Sequence, residues 1–299
     1  KEALVFAKQK KIEVLILGGG SNVLLPDTLF KAFVVKMCIN GISFDKDKVW
    51  VGAGENWDSF VKKTLDKKLY GLENLSGIPG TVGGAPIQNI GAYGMDVSKV
   101  IKDVEVLNKK TLKIERIKNK DCKFGYRDSF FKTKKGQNYV ITKVLFSLNK
   151  KNTPQIGYKD LKNYFVKSIK PEVKEIRKAV LKIRSKKFPN LKKYGTAGSF
   201  FKNPIITSKK YNELVKKYPK LPGFPYKKGY IKIPIAYILD RVLELKGFRL
   251  DDVGVYKNHS LVFVNYKKAK QKDVLKLKNI IEKKVFQKIK VRISTEVTI

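Results

Sequence analysis

The heptapeptide Gly-Ser-Phe-Phe-Lys-Asn-Pro at residues 198–204 puts a hydroxyl (Ser199), an amine (Lys202) and an amide (Asn203) beside paired aromatics. A hydrophobic core has no use for that mixture, whereas a site that handles a polar substrate does. More than a hundred residues earlier, the run Gly18-Gly19-Gly20-Ser21-Asn22 follows the apolar stretch Val14–Leu17. Side-chain-free residues at a strand exit let successive N–H groups converge on an anion, so these residues are candidates to cradle a phosphorylated cofactor. A tight turn is the competing reading. The spacing is not that of the dinucleotide-binding turn, because Val23 stands where its third glycine would fall. A second loop, residues 77–94, holds six glycines and offers Thr81, Gln88, Asn89 and Tyr93 as hydrogen-bonding groups beside Gly80, Gly83, Gly84 and Gly91. It is too long for a hairpin, and a side chain at Gly19 or Gly83 is expected to fill space that a pyrophosphate needs.

Other chemistries are narrowed by what the chain carries. His259 is the single histidine, so a His-based triad and a His-rich metal site are both excluded and no metal is expected. Cys38 and Cys122 lie far apart with no CxxC pair, which argues against a zinc site or a disulfide framework and suits a reducing cytosol. Arg127 offers a planar fork suited to a carboxylate, or else a structural pair with Asp128. Glu296 lies in the alternating run 291–299, where Val291, Ile293, Thr295, Val297 and Ile299 share one face and Glu296 falls on the other, toward a cleft or solvent.

The elements that must position these residues can be read coarsely. The chain starts inside a helix; residues 14–17 read as a buried strand and 33–37 as its neighbour. Glu55-Asn56 can cap a helix running through Leu65, with Phe60, Val61, Thr64 and Leu65 on one face. Strands are expected at residues 100–107, 113–117 and 139–148. Pro171 opens a helix in which Val173, Ile176, Val180 and Ile183 recur at spacings of three and four. Helices at 208–217, 234–246 (stopped by Gly247) and 272–286 then interleave with strands at 261–265 and 291–299. There is no internal repeat and no low-complexity segment apart from a diffuse lysine excess. At 299 residues, with 42% hydrophobic content, the chain can bury more than one core. No apolar run reaches the roughly 20 residues of a membrane span, and no cleavable signal is visible.

A formal charge of +39 raises nucleic acid as a partner. Yet of the 65 basic residues only seven are Arg, and the lysines are scattered over helices, strands and loops alike. Base readout favours Arg forks in a compact stripe, so a solvated lysine-rich surface is the favoured reading and no specific nucleic-acid partner is expected.

In their order along the chain, the two glycine loops, Gly-Tyr-Arg-Asp-Ser at 125–129 and the terminal Ser-Thr-Glu-Val resemble the UDP-N-acetylenolpyruvoylglucosamine reductase family, flavoenzymes of peptidoglycan precursor synthesis. The similarity runs from about Val14 to the last residue, and Ile156-Gly157-Tyr158 is similar to the subgroup that carries a Tyr loop over the substrate. Two positions depart from the family pattern: Thr295, where Pro is common, and Thr298, where a basic residue is frequent. The resemblance also implies a trimmed N-terminus, lacking a strand that touches the adenine half of the flavin.

What the resemblance implies is an α+β fold: a two-part FAD-binding region of the vanillyl-alcohol-oxidase/PCMH type, residues 1–36 and 37–188, plus a C-terminal α/β substrate domain, residues 189–299. It implies noncovalent FAD held by Gly18, Gly19, Gly20, Ser21, Asn22, Gly80, Thr81, Gly83, Gly84, Gln88, Asn89, Gly91 and Tyr93. NADPH is the implied reductant, and the substrate is the enolpyruvyl ether of UDP-N-acetylglucosamine, reduced to UDP-N-acetylmuramate by a cytoplasmic monomer. Hydride addition leaves carbanion character beside the substrate carboxylate. Arg127 and a protonated Glu296 would stabilise it, and Ser199, polarised by Lys202 or Lys187, would complete the product with a proton. Tyr158, Lys187 and Asn203 would hold the sugar diphosphate, Lys202 would also contact the substrate, and His259 is either a hydrogen-bond partner of the substrate or a packed or surface imidazole. The alternatives are another FAD oxidoreductase of the same fold and a basic nucleic-acid-binding protein. Relatives of the former often tether flavin through His or Cys, which residues 77–94 lack.

Overall fold

The structure, a computed structural model, describes residues 1–166 and 171–299. The chain divides into two compact units, one of Lys1–Gly20 with Phe30–Arg184, the other of Ser21–Leu29 with Ser185–Ile299.

In the first unit, helix α1 (Glu2–Gln9) leads to strands β1 (Val14–Leu17) and β2 (Phe33–Lys36), which pair in parallel with Val14 opposite Phe33. Phe6 of α1 lies 5.5 Å from the Phe33 ring. The main sheet has five antiparallel strands in the order β3 (Ile42–Asp45), β4 (Lys48–Gly52), β9 (Tyr139–Ser147), β7 (Ile101–Asn108), β8 (Ile114–Lys118). Helix α2 (Trp57–Asp66) covers it, opened by the Asn56 side chain, which accepts from the Ser59 N–H at 2.9 Å. The apolar face of α2 is Trp57, Phe60, Val61 and Leu65, and both Trp57 and Phe60 pack on Phe146 of β9. Trp57 meets its polar need by donating to the Leu75 carbonyl. A two-stranded ribbon, β5 (Gly91–Ala92) and β6 (Met95–Asp96), turns through Tyr93 and Gly94, both at positive φ (49° and 83°), as a two-residue hairpin requires. Helices α3 (Lys159–Tyr164) and α4 (Val173–Lys187) close a smaller core of Leu161, Ile176, Ala179 and Val180 around Tyr93.

In the second unit, β10 (Ile205–Thr207) leads into helix α5 (Ser208–Lys217), capped by Thr207. A three-stranded sheet orders β10, β12 (Tyr230–Lys232) and β11 (Phe224–Lys227), and another orders β13 (Arg249–Leu250), β14 (Val253–Tyr256) and β15 (His259–Asn265). Helix α7 (Gln271–Ile289) buries Leu277, Ile281, Val285 and Ile289, a four-residue repeat along one face.

Two expectations are corrected here. The helix expected over 234–246 is one short turn, α6 (Ile235–Tyr237), followed by a π-helical turn at Ile238–Val242; Glu244 then takes φ 52°, ending it. The strand expected over 291–299 is an extended segment with isolated bridges to two different partners, Thr295 to Phe201 and Thr298 to Val23. Between them the chain bends; Val297 stays buried on the expected face, and only the last residue of that face, Ile299, is exposed. Among the described residues, no helix is long and apolar enough to cross a membrane.

Candidate active site

The first glycine turn and the second glycine loop meet. A Cβ on Gly18 would lie 2.8 Å from the Thr81 hydroxyl, and one on Gly19 would lie 3.0 Å from the Gly80 Cα, so both positions need glycine for the loops to approach. Gly20, at φ 67°, faces open space, and a Cβ on Gly84 would come no nearer than 3.8 Å to the Thr81 hydroxyl. That hydroxyl is buried with no hydrogen-bond partner among the described residues. A buried, unsatisfied hydroxyl in a cleft between side-chain-free residues fits a phosphorylated cofactor that supplies the missing partner. These are the residues that suit the diphosphate of FAD.

Other residues of the second loop serve the protein itself. A Cβ on Gly83 would lie 2.6 Å from the Ala53 Cβ, so packing after β4 needs a glycine there. Its N–H donates to the Ala53 carbonyl. Asn89, buried at φ 45°, clamps two segments: its Nδ2 donates to the Gly125 carbonyl at 2.9 Å and its Oδ1 accepts from the Ser98 N–H at 3.0 Å. Gln88 is half-buried beside it. Tyr93 belongs to the small core, its ring edge-on to Tyr158 at 5.5 Å and its phenol hydrogen-bonded to Arg184. Burial pushes the Tyr93 phenol up to about 12. The buried Asn74 amide joins this to the segment before Tyr158, donating to the carbonyls of Tyr93 and Gln155, each at 2.9 Å.

Arg127 sits at φ 51°, and its side chain is 18% exposed. Its Nη2 donates to the Gly91 carbonyl at 2.5 Å, and its Nη1 lies 3.9 Å from the Asp96 carboxylate. The fork therefore pairs with Asp96, which had no part in the sequence expectations, rather than with Asp128. Gly91 is glycine because a Cβ there would fall 1.9 Å from the Asp96 carboxylate and 2.9 Å from Arg127 Nη1. Arg184 is a second residue the sequence reading passed over. It donates to the Gly77 carbonyl at 3.0 Å, in a network where Arg177 grips Asp58 at 2.6 and 2.8 Å. Burial raises the Asp58 pKa, but the Arg177 hydrogen bonds, the Gly77 N–H and the charges of Arg177 and Arg184 outweigh it and hold the carboxyl below its usual 3.8.

In the second unit, residues 199–202 run between β15 and the C-terminal segment. Ser199 bridges Val262, the Phe200 N–H donates to the Leu261 carbonyl at 2.8 Å, and the Glu296 N–H donates to the Phe200 carbonyl at 2.8 Å. Ser199 and Glu296 thus stand on adjacent, directly bonded segments. Phe200 and Phe201 are both core residues, packed on Phe263 of β15. Half-buried Lys202 follows, its N–H held by the Ser294 carbonyl at 2.9 Å. Asn203 accepts from the Ile235 N–H at 3.1 Å and so opens α6. His259 lies 5.2 Å from the Phe188 ring, next along the chain to the half-buried Lys187. Its Nδ1 accepts from the Leu261 N–H at 3.2 Å, so the ring proton is carried on Nε2. Ser21 and Asn22 belong to this unit too; the Asn22 Nδ2 donates to the Glu296 carbonyl at 3.1 Å.

Comparison with known proteins gives a consistent family. Residues 1–114 match the family model described as FAD binding domain, and residues 190–299 match UDP-N-acetylenolpyruvoylglucosamine reductase, C-terminal domain. The chain is 42% identical over 290 residues to the UDP-N-acetylenolpyruvoylglucosamine reductase of Buchnera aphidicola subsp. Schizaphis graminum, covering 96% of this chain and 83% of that relative. It is 38% identical to that of Escherichia coli O157:H7, covering 95% and 83%. The solved UDP-N-acetylenolpyruvylglucosamine reductase of Thermus caldophilus shares the fold at a TM-score of 0.67 and 21% identity, covering 99% of this chain and 88% of that one.

Proposed function

The chain belongs to the UDP-N-acetylenolpyruvoylglucosamine reductase family, FAD-dependent oxidoreductases of peptidoglycan precursor synthesis, and we propose how its own residues divide that reaction. Residues 1–36 and 37–188 serve the flavin, with Gly18, Gly19, Gly20, Gly80, Thr81 and Gly84 around the diphosphate, and residues 189–299 serve the substrate, as do Arg127, Tyr158 and Lys187 of the region before them. FAD held by the glycine loops would supply hydride transfer from NADPH to the enolpyruvyl ether of UDP-N-acetylglucosamine. The chain acts as a cytoplasmic monomer with no specific nucleic-acid partner.

Arg127 holds the substrate carboxylate. Its planar fork of donors meets the enolate as that forms beside the carboxylate. The Gly91 carbonyl and Asp96 fix the plane of the fork, leaving its aim independent of substrate. Ser199 delivers the proton to the carbon next to the carboxylate, and Glu296, as a neutral donor, stabilises the enolate oxygen. Tyr158, Lys187, Lys202, Asn203 and His259 hold the sugar diphosphate. Tyr158, exposed beside the Tyr93 ring, offers its phenol as a donor to a phosphate oxygen.

The observation that carries this reading is the bond between Glu296 and the residue after Ser199, which sets the two acids on neighbouring segments. Ser199→Ala tests it. Flavin reduction by NADPH should keep a near-normal rate, while reoxidation by substrate falls by about 10²–10⁴-fold, the usual cost of losing a general acid. Equal slowing of both half-reactions would contradict the assignment.

A further inference from the structure

We propose that Asn22 is a positioning residue for Glu296: its carboxamide pins the Glu296 main chain and so aims the carboxyl. The Glu296 N–H is held by the Phe200 carbonyl at 2.8 Å, and the Glu296 carbonyl by the Asn22 Nδ2 at 3.1 Å. The two bonds come from different partners. Up to Thr295 the segment pairs with Phe201; it then bends at residues 296–297, and its bonds pass to residues 22–24. There the Thr298 N–H donates to the Asn22 carbonyl at 3.1 Å and the Leu24 N–H donates to the Thr298 carbonyl at 2.8 Å.

At the bend between the two ladders, the first holds Glu296 by its N–H and the Asn22 side chain holds it by its carbonyl. Held at its N–H, Glu296 can still turn about its N–Cα bond, which swings its Cβ and its carbonyl together, so a bond that holds the carbonyl also restrains the Cβ. The Asn22 carboxamide removes that freedom. Asn22 also stands two residues after Gly20, so the segment assigned to the cofactor and the segment that aims Glu296 are continuous. The inference rests on the reading of Glu296 as the group that stabilises the enolate. It gives Asn22 a role other than the cofactor contact expected from the sequence.

The test uses the flavin-loaded full chain with Asn22→Ala, Asn22→Asp, Glu296→Ala and the Asn22→Ala/Glu296→Ala double variant. Asp keeps the size of Asn but sets an acceptor against the Glu296 carbonyl. We expect flavin affinity and NADPH reduction to stay within about twofold of the parent, while substrate reoxidation slows about tenfold in Asn22→Ala, as for one lost hydrogen bond, and further in Asn22→Asp. The double variant should be no slower than Glu296→Ala. Amide hydrogen exchange should rise in the peptide spanning residues 294–299 and nowhere else. Fully additive effects of the two substitutions, or unchanged exchange in that peptide, would overturn the proposal. So would weakened flavin retention with parental reoxidation in the loaded fraction, which would make Asn22 a cofactor contact. Parental reoxidation in Glu296→Ala would instead sink the underlying reading of Glu296, and the positioning role with it.

Discussion

Gly91→Ala perturbs Arg127 without touching it. The new methyl would start 1.9 Å from the Asp96 carboxylate and 2.9 Å from Arg127 Nη1, where ordinary contact begins near 3.4 Å. Asp96 is half exposed and its ion pair spans 3.9 Å, so it can swing aside at little cost. Arg127 cannot. Its fork is largely buried and bonded to the carbonyl of the substituted residue itself, so it must shift by roughly half an ångström and turn its plane. Misplacing a reacting group by about 1 Å costs on the order of 10²-fold, so a shift of half that size should slow substrate reoxidation by about 10-fold. The folding cost should stay near 1 kcal/mol, since only side-chain ends move. Anaerobic stopped-flow of the two half-reactions, with a melting curve, reads all of this. Parental reoxidation in Gly91→Ala beside a slow Arg127→Ala would refute the idea that Gly91 sets the aim of the fork, and loss of flavin would make Gly91 a cofactor contact instead.

Glu296→Gln keeps a neutral donor whereas Glu296→Ala removes it, so Gln should retain much more substrate reoxidation than Ala, with NADPH reduction little changed in either. Gly83→Val forces a side chain onto Ala53 and should destabilise the fold by about 1–3 kcal/mol whether or not flavin is present, which paired melting curves measure. The lowered Asp58 pKa adds stability that is complete above 3.8 and is lost as the pH falls through the folded value. Arg177→Ala should therefore cost about 1.5–3 kcal/mol at pH 7 and progressively less in acid below 3.8, in denaturant titrations at stepped pH.

The parts of the fold legible in the sequence are those with a local cause. Asn56 caps its helix as its chemistry dictates, and the apolar face of α2 follows from spacing alone. The β3–β4 hairpin escaped notice because its turn, Asp45-Lys46-Asp47-Lys48, carries no glycine or asparagine; Lys46 takes φ 52° there. The C-terminal segment alternates like a strand, yet its partners change at residue 296, and no local pattern encodes a change of partner. The same limit governs the site. Gly18, Gly19, Gly80 and Thr81 come together as their composition suggests. Asn89, Tyr93 and Gly83 have the residue types of a binding loop but spend them on packing and clamping, which depends on Gly125, Arg184 and Ala53, far off in sequence. Arg127 finding Asp96 rather than its neighbour Asp128 is the same effect, since both its Gly91 and Asp96 partners lie on the β5–β6 ribbon more than thirty residues earlier.

The central claim, that this chain is a flavin-dependent reductase of the enolpyruvyl nucleotide, is tested most directly by the visible spectrum of the purified protein through one anaerobic cycle. The account requires noncovalent yellow flavin, bleached by NADPH and recoloured by one equivalent of UDP-N-acetylglucosamine enolpyruvate with formation of UDP-N-acetylmuramate. A protein that binds flavin and bleaches with NADPH but does not recolour with that nucleotide would contradict it.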